Sequence, residues 1–188
     1  TWTVINNVNV LGETNQPNPQ SNISQLLTNL SSQIQVVNYT VTPFSGTCQG
    51  VPFNIAVTIN PRPFIPNVPQ LTDTRCSGDA FNILPQDGIP TSATIVPTGT
   101  TYSWTVPVNN LGATDVMPPG SASISQVLNN PTNTIQSIIY TVTPVTGTCV
   151  GLPFDVKVWV EPKPYIPAVL ETICDNTEFI LNPIHAQV

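Results

Sequence analysis

Four cysteines are the side chains of this 188-residue sequence whose type and spacing could do covalent chemistry. Cys76 and Cys174 stand 98 positions apart, and Cys48 and Cys149 stand 101 apart, so the set reads as an early and a late cysteine, each occurring twice. Two oxidised arrangements are open. Cys76–Cys149 would close inside one unit and leave Cys48 and Cys174 to partners outside these residues. Cys48–Cys76 with Cys149–Cys174 would tie neighbouring units and use all four. The first is preferred because it makes each unit self-sufficient, and geometry must decide, since bridged Cα atoms lie within roughly 7 Å. Either arrangement implies an oxidising, extracellular setting. Zinc is not indicated, because there is no CxxC pair and no partnering histidine.

Other reactive groups are sparse. The single histidine, His185, reads as a surface or loop residue. No histidine precedes it, so the rest of the chain lacks the base that a Ser-His-Asp or Cys-His site needs. The ten acidic residues are too dispersed for the convergent carboxylate pair of glycoside hydrolysis. No glycine-rich phosphate loop occurs. No cofactor is expected and the chain is not expected to be an enzyme. Calcium is the one metal that oxygen-rich clusters at domain junctions could take. Its candidates are Asp73, Asp79, Asp175 and Glu178, with Glu171 nearby, although solvated turn residues are the preferred reading. Three N-x-S/T sequons (Asn22, Asn29, Asn38) are accounted for by chance in so Asn- and Thr-rich a chain.

Ten acids against four bases (Arg62, Arg75, Lys157, Lys163) give a net charge of −6. Four scattered bases cannot neutralise a phosphate backbone, which excludes nucleic acid as a partner, and the same deficit argues against anionic lipid. No apolar run approaches the roughly 18 to 20 residues of a transmembrane helix, so no membrane insertion is expected. No signal peptide is visible. The 21 prolines and the abundance of Thr, Val, Ile and Asn favour strands and turns over helices, and 40% hydrophobic residues suffice for packed cores.

The elements that would carry these groups recur. Tyr39-Thr40-Val41-Thr42-Pro43, followed by Thr47-Cys48-Gln49-Gly50-Val51-Pro52-Phe53, returns 101 positions later as Tyr140-Thr141-Val142-Thr143-Pro144 and Thr148-Cys149-Val150-Gly151-Leu152-Pro153-Phe154. Within each copy Tyr and Val alternate with Thr, a hairpin strand with one buried face. A period of this length is one β-sandwich domain in a tandem array. Trp2-Thr3-Val4 matches Trp104-Thr105-Val106, and Trp104 closes a strand from Thr101. Both tryptophans, with Tyr39 and Tyr140, are expected in the cores, and each tyrosine hydroxyl could make the hydroxyl-to-backbone corner common in such sandwiches. Residue 1 then falls mid-domain, with two strands of that unit missing.

A polar loop, Gly12 to Ser21 and its twin Gly112 to Ser121, leads to Ile23–Asn29 and Ile124–Asn130. These could form one helical turn, but the β-rich context favours a short strand. Strict alternation makes Phe53–Ile59 and Phe154–Val160 the last strands. The second leaves Trp159 on the outward face, partly exposed. It is expected to pack on an interdomain contact or the Lys157 stem; a sugar-stacking platform is the functional alternative. Each last strand enters an alternating proline segment, Pro61-Arg62-Pro63-Phe64-Ile65-Pro66 and Pro162-Lys163-Pro164-Tyr165-Ile166-Pro167. Such segments are stiff, extended spacers. Phe64 with Ile65, and Tyr165 with Ile166, are expected to pack on the adjoining unit and fix its angle. The expected division is 1–66, the back of one domain; 67–167, one whole domain; and 168–188, the front strands of a third.

In this order the motifs Cys76-Ser77-Gly78-x-Ala80-Phe81, Tyr102-Ser103-Trp104-Thr105, Ile124-x-x-x-Leu128-x-Asn130, Tyr140–Pro144, Cys149-x-Gly151 and Pro162-x-Pro164 resemble the PKD-like/Ig-like repeats of giant Bacteroidetes surface proteins, SprB-type gliding-motility adhesins above all. The resemblance covers essentially the whole chain. It implies tandem Ig-like β-sandwiches and an all-β fold. It also implies type IX secretion and display on the cell surface as a filament that attaches to surfaces or polysaccharide during gliding. The partners so implied are neighbouring repeats of the same polypeptide and surface polysaccharide. The Gly-Asp-Gly turn of the PKD signature is missing after Trp104, where the chain has Thr105-Val106-Pro107. A spacer or carbohydrate-binding module of a secreted polysaccharide-degrading enzyme is the alternative.

Overall fold

The computed structural model describes residues 1–68, 70–105, 120–166 and 168–180. Among them there is no helix; every regular element is a strand. In order these are β1 (Trp2–Val4), β2 (Val10–Leu11), β3 (Thr28–Asn29), β4 (Gln35–Val41), β5 (Phe44–Ser45), β6 (Cys48–Gln49) and β7 (Phe53–Ile59). They continue as β8 (Leu71–Cys76), β9 (Ala80–Ile83), β10 (Thr101–Trp104), β11 (Ile124–Val127), β12 (Gln136–Thr146), β13 (Cys149–Val150) and β14 (Phe154–Glu161).

The repeat in sequence is a repeat in register. One sheet has the order β1-β4-β7, and a second has β10-β12-β14-β8, with β13 added to β12. Trp2 faces Val41 across the first sheet, and Trp104 faces Val142 across the second. Tyr39 pairs with Ile55, and Tyr140 with Val156. The alternation responsible is plain in β12, where Ile138, Tyr140 and Val142 are buried and Ile139 and Thr141 are exposed. Side chains on a strand point to opposite faces in turn, so one apolar set seals one face.

The second sheet is closed into a sandwich by a smaller antiparallel layer, β9 paired with β11. Phe81 from β9 and Ile124 from β11 enter the same core as Tyr102, Trp104, Tyr140, Phe154 and the valines of β14. Phe81 and Tyr140 lie 5.6 Å apart, while Trp104 meets Tyr140 edge-on at 6.5 Å and 84°. These are favoured aromatic geometries. On the outer side β8 runs parallel to β14, with Leu71 opposite Val156 and Cys76 opposite Glu161.

The first core is smaller: Trp2, Val10, Val37, Tyr39 and Val41. Among the described residues no strands equivalent to β8 and β9 flank it, so β7 is an edge of its sheet. The same lack explains a difference between copies. Ile124–Val127 forms a strand because β9 pairs with it, whereas in the first copy only Thr28–Asn29 pairs, with β2. Residues 168–180 contain no strand and are exposed throughout the described part. The strands against which 71–83 packs, near 124 and 154, have no third copy in these 188 residues.

Candidate functional site: the junction between the sheets

The alternating prolines after β7 extend the chain straight into the second core. Pro61 and Pro63 are buried, and Ile65, 2% exposed, belongs to the second apolar cluster. Proline lacks a donor and holds an extended backbone, so the segment can pair only through its non-proline residues, and it does so at Phe64. Phe64 N–H donates to the Ile95 carbonyl at 2.9 Å, and Ile95 N–H returns the bond at 2.8 Å. Gly151 sits against the carbonyl of Pro63, where a Cβ would not fit. Ser32, from the loop before β4, donates to the Asp87 carboxylate at 2.7 Å across the junction, and the other Asp87 oxygen accepts from Val96 N–H at 2.9 Å. The corresponding segment after β14 shows the contrast: Tyr165 and Ile166 are exposed.

The cleft left between the sheets has a volume of about 310 Å³ and is lined by Ile34, Asn60, Pro61, Thr98, Thr146 and Thr148 among others. Among the described residues no ionisable side chain lines it. A wall of hydroxyls, two amides and prolines supplies neither a nucleophile with its base nor a charge to orient a reacting group.

The structure disperses the other candidates. Asp73 is held by Arg75, at 3.0 Å, and accepts from Thr74 N–H, while Asp79 approaches Lys163 at 3.6 Å. Asp175 and Glu178 are exposed in the segment after β14. Among the described residues no three His, Cys, Asp or Glu side chains group as metal ligands. His185 lies outside the described residues. Trp159 is 38% exposed, and the Lys157 ammonium covers its ring at 3.9 Å from the centroid. Asn29, the middle sequon residue, is buried with its amide engaged to Gln33 and Ile59 carbonyls.

Both predicted core tryptophans and both tyrosines are buried. The tyrosine corner needs correction, for among the described residues both hydroxyls bond a side chain and neither reaches backbone. Tyr39 Oη bonds Gln25 Oε1 and Tyr140 Oη bonds Gln126 Oε1, each at 2.6 Å, because the Ile-Ser-Gln segment brings its glutamine opposite the strand. Burial raises the pKa of Tyr140, and it pushes Tyr102 up to about 12. For Tyr39 the rise comes from burial first and the Glu13 charge second.

No two of the four cysteines are bonded in the structure, and the strand geometry does not suit the expected Cys76–Cys149 pair. Cys76 ends β8 beside Glu161, and Val160 pairs with Gln136 at the start of β12. Cys149 pairs with Thr146 at the other end of that 11-residue strand. At ~3.3 Å per residue the two lie roughly 30 Å apart, far beyond bridging distance. Cys48–Cys76 would have to span both sheets, because Cys48 sits opposite Ser45, past the end of β4 that is remote from the junction. Cys149 and Cys174 are not bonded to each other either.

Sequence reasoning missed Ser32, Asp87 and Ile95 at the junction. Nothing in their local pattern marks them; only docking of the two sheets brings them together.

The family model described as PKD-like domain matches residues 1–63 and 73–164. No curated protein matches the chain, and no solved structure does.

Proposed function

Taking as premise that the chain belongs to the PKD-like domain family, the matched stretches covering well over half of it, we propose that it is a load-transmitting stalk segment of a secreted cell-surface adhesin. On this reading the units at 1–66, 67–167 and 168–188 are successive repeats whose task is to hold distance and direction. They carry no catalytic group. The polypeptide around them is exported, stands on the outer surface and mediates attachment, including attachment to polysaccharide during gliding.

The observation that carries the reading is Ile65. A linker residue buried in the core of the unit that follows cannot move without opening that core. Flexible tethers avoid such contacts; here the connector contributes to the fold. A mechanical spacer requires this and an enzyme's substrate cleft does not.

Small-angle scattering tests the mechanical part. The chain is expected to scatter as an elongated particle, and Pro61→Gly with Pro63→Gly is expected to broaden its distance distribution. A compact globular profile would overturn it. Antibodies raised against the chain test the location: intact source cells should be labelled without permeabilisation, and labelling only after permeabilisation would refute surface display.

A further inference from the structure

Each repeat carries two cysteines at opposite ends, and no two of the four in this chain meet. The junction shows what each end faces. At the late end, Gly151, two residues after Cys149, presses on Pro63 of the preceding linker, and Thr148 lines the cleft with Asn60. At the early end, Cys76 lies beside Glu161, and Asp79, three residues on, reaches Lys163 of the following linker. Glu161 and Lys163 are the counterparts of Asn60 and Arg62, 101 positions later. Both cysteines therefore border the same place in the repeating junction, but from opposite sides. The early one approaches from the unit before the linker and the late one from the unit after it.

We propose that the early cysteine of each repeat forms a disulfide with the late cysteine of the repeat that follows, stapling every junction of the stalk. The proposal rests on the tandem reading above and explains why neither in-chain pairing forms. The partner of Cys149 belongs to a strand that would flank Asn60, and the partner of Cys76 to a hairpin that would face Glu161. Bond formation needs an oxidant, here a small-molecule disulfide. One cysteine thiolate attacks it and releases one thiol. The second thiolate then displaces the other thiol from the mixed disulfide. The protein loses two protons and two electrons, and the reagent becomes two thiols.

The test lengthens the chain by one repeat, joining residues 1–167 directly to a second copy of 67–167. This protein has five thiols, three from the first part and two from the appended copy. Equilibrated with oxidised and reduced glutathione, then unfolded and titrated, it is expected to show three. Cys76→Ser in the inner copy or Cys149→Ser in the appended copy should abolish the loss of a pair. Cys76→Ser in the appended copy or Cys149→Ser in the inner copy should leave that loss intact. Retention of all five thiols in the unsubstituted protein, or a loss insensitive to the first two substitutions, would overturn the staple. Scattering from the same protein kept reduced reports the stalk separately: an elongated profile with unpaired thiols would reject the staple and leave the rod standing.

Discussion

Gly151 stands so close to Pro63 that a Cβ added to it would overlap the Pro63 carbonyl oxygen and lie 2.8 Å from Pro144 Cγ. The first hairpin offers a natural control. Gly50 occupies the same place there, but the nearest atoms to its added Cβ all belong to Pro43, the ring Cγ at 2.9 Å and the carbonyl oxygen at an ordinary 3.5 Å. Gly151→Ala must therefore push the connector off the second unit, whereas Gly50→Ala asks only a ring to shift. Overpacking of this kind costs typically about 1–3 kcal/mol. Denaturant unfolding should show that loss for Gly151→Ala, a smaller one for Gly50→Ala, and a broadened scattering profile for the first alone. Equal effects would mean that the linker contact does not matter.

A second prediction concerns a buried amide present in both copies. Asn130 donates to the carbonyls of Thr134 at 2.7 Å and Val160 at 2.9 Å, while its Oδ1 accepts from Thr132. Asn29 makes the equivalent bonds to Gln33 and Ile59. The side chain closes a loop onto the last strand, satisfying the buried Val160 carbonyl and holding the Thr134 carbonyl of the loop beside it. Leaving such groups unpaired costs roughly 1–3 kcal/mol each. Asn130→Ala is expected to lower stability by about 2–4 kcal/mol on that basis. A change within ±0.5 kcal/mol, the usual range for an unimportant surface site, would contradict the latch.

The sequence announced much of this through periodicity. A two-residue alternation and a hundred-residue repeat were enough to place β4, β7, β12 and β14, and the buried Trp and Tyr residues followed from the inward set. What it could not show were relations set by partners distant in the chain. Ile23–Leu27 has the same pattern as Ile124–Leu128, yet it lacks a strand because nothing like β9 lies beside it. The tyrosine hydroxyls bond glutamines 14 residues earlier, a detail no alternation encodes. The cysteine pairing failed for a similar reason. Spacing reveals which residues recur, and only strand direction reveals that Cys76 and Cys149 occupy opposite ends.

Trp159 yields a third prediction. Its ring already carries the Lys157 ammonium at 3.9 Å, and the twin position in the first copy is Thr58. An exposed cation–π contact is worth about 0.5–1 kcal/mol. Trp159→Ala is expected to cost about that much in thermal or denaturant unfolding and to leave glycan-array signals unchanged. Glycan binding that disappears in the variant would move the reading toward a sugar-binding module.

The last prediction concerns alkaline pH and two core tyrosines on adjacent strands. Burial raises both pKa values in the fold, Tyr102 to about 12 from an ordinary value of 10.0. The unfolded chain therefore releases these protons at lower pH than the folded one does. Stability from this source is complete below pH 10, declines as pH rises above it, and is lost by about pH 12 for Tyr102. The two hydroxyls differ in their partners. Tyr102 Oη has none among the described residues, whereas Tyr140 Oη donates to Gln126. Tyr102→Phe removes a desolvated group without breaking a bond, so at neutral pH it should be neutral or stabilising by up to about 1 kcal/mol. It should also make the fall in stability between pH 10 and 12 shallower. Tyr140→Phe should lose about 1 kcal/mol at neutral pH by leaving Gln126 Oε1 without that donor. Urea unfolding of both variants across this pH range checks the pair, and identical behaviour would show that the hydrogen bond to Gln126 contributes nothing.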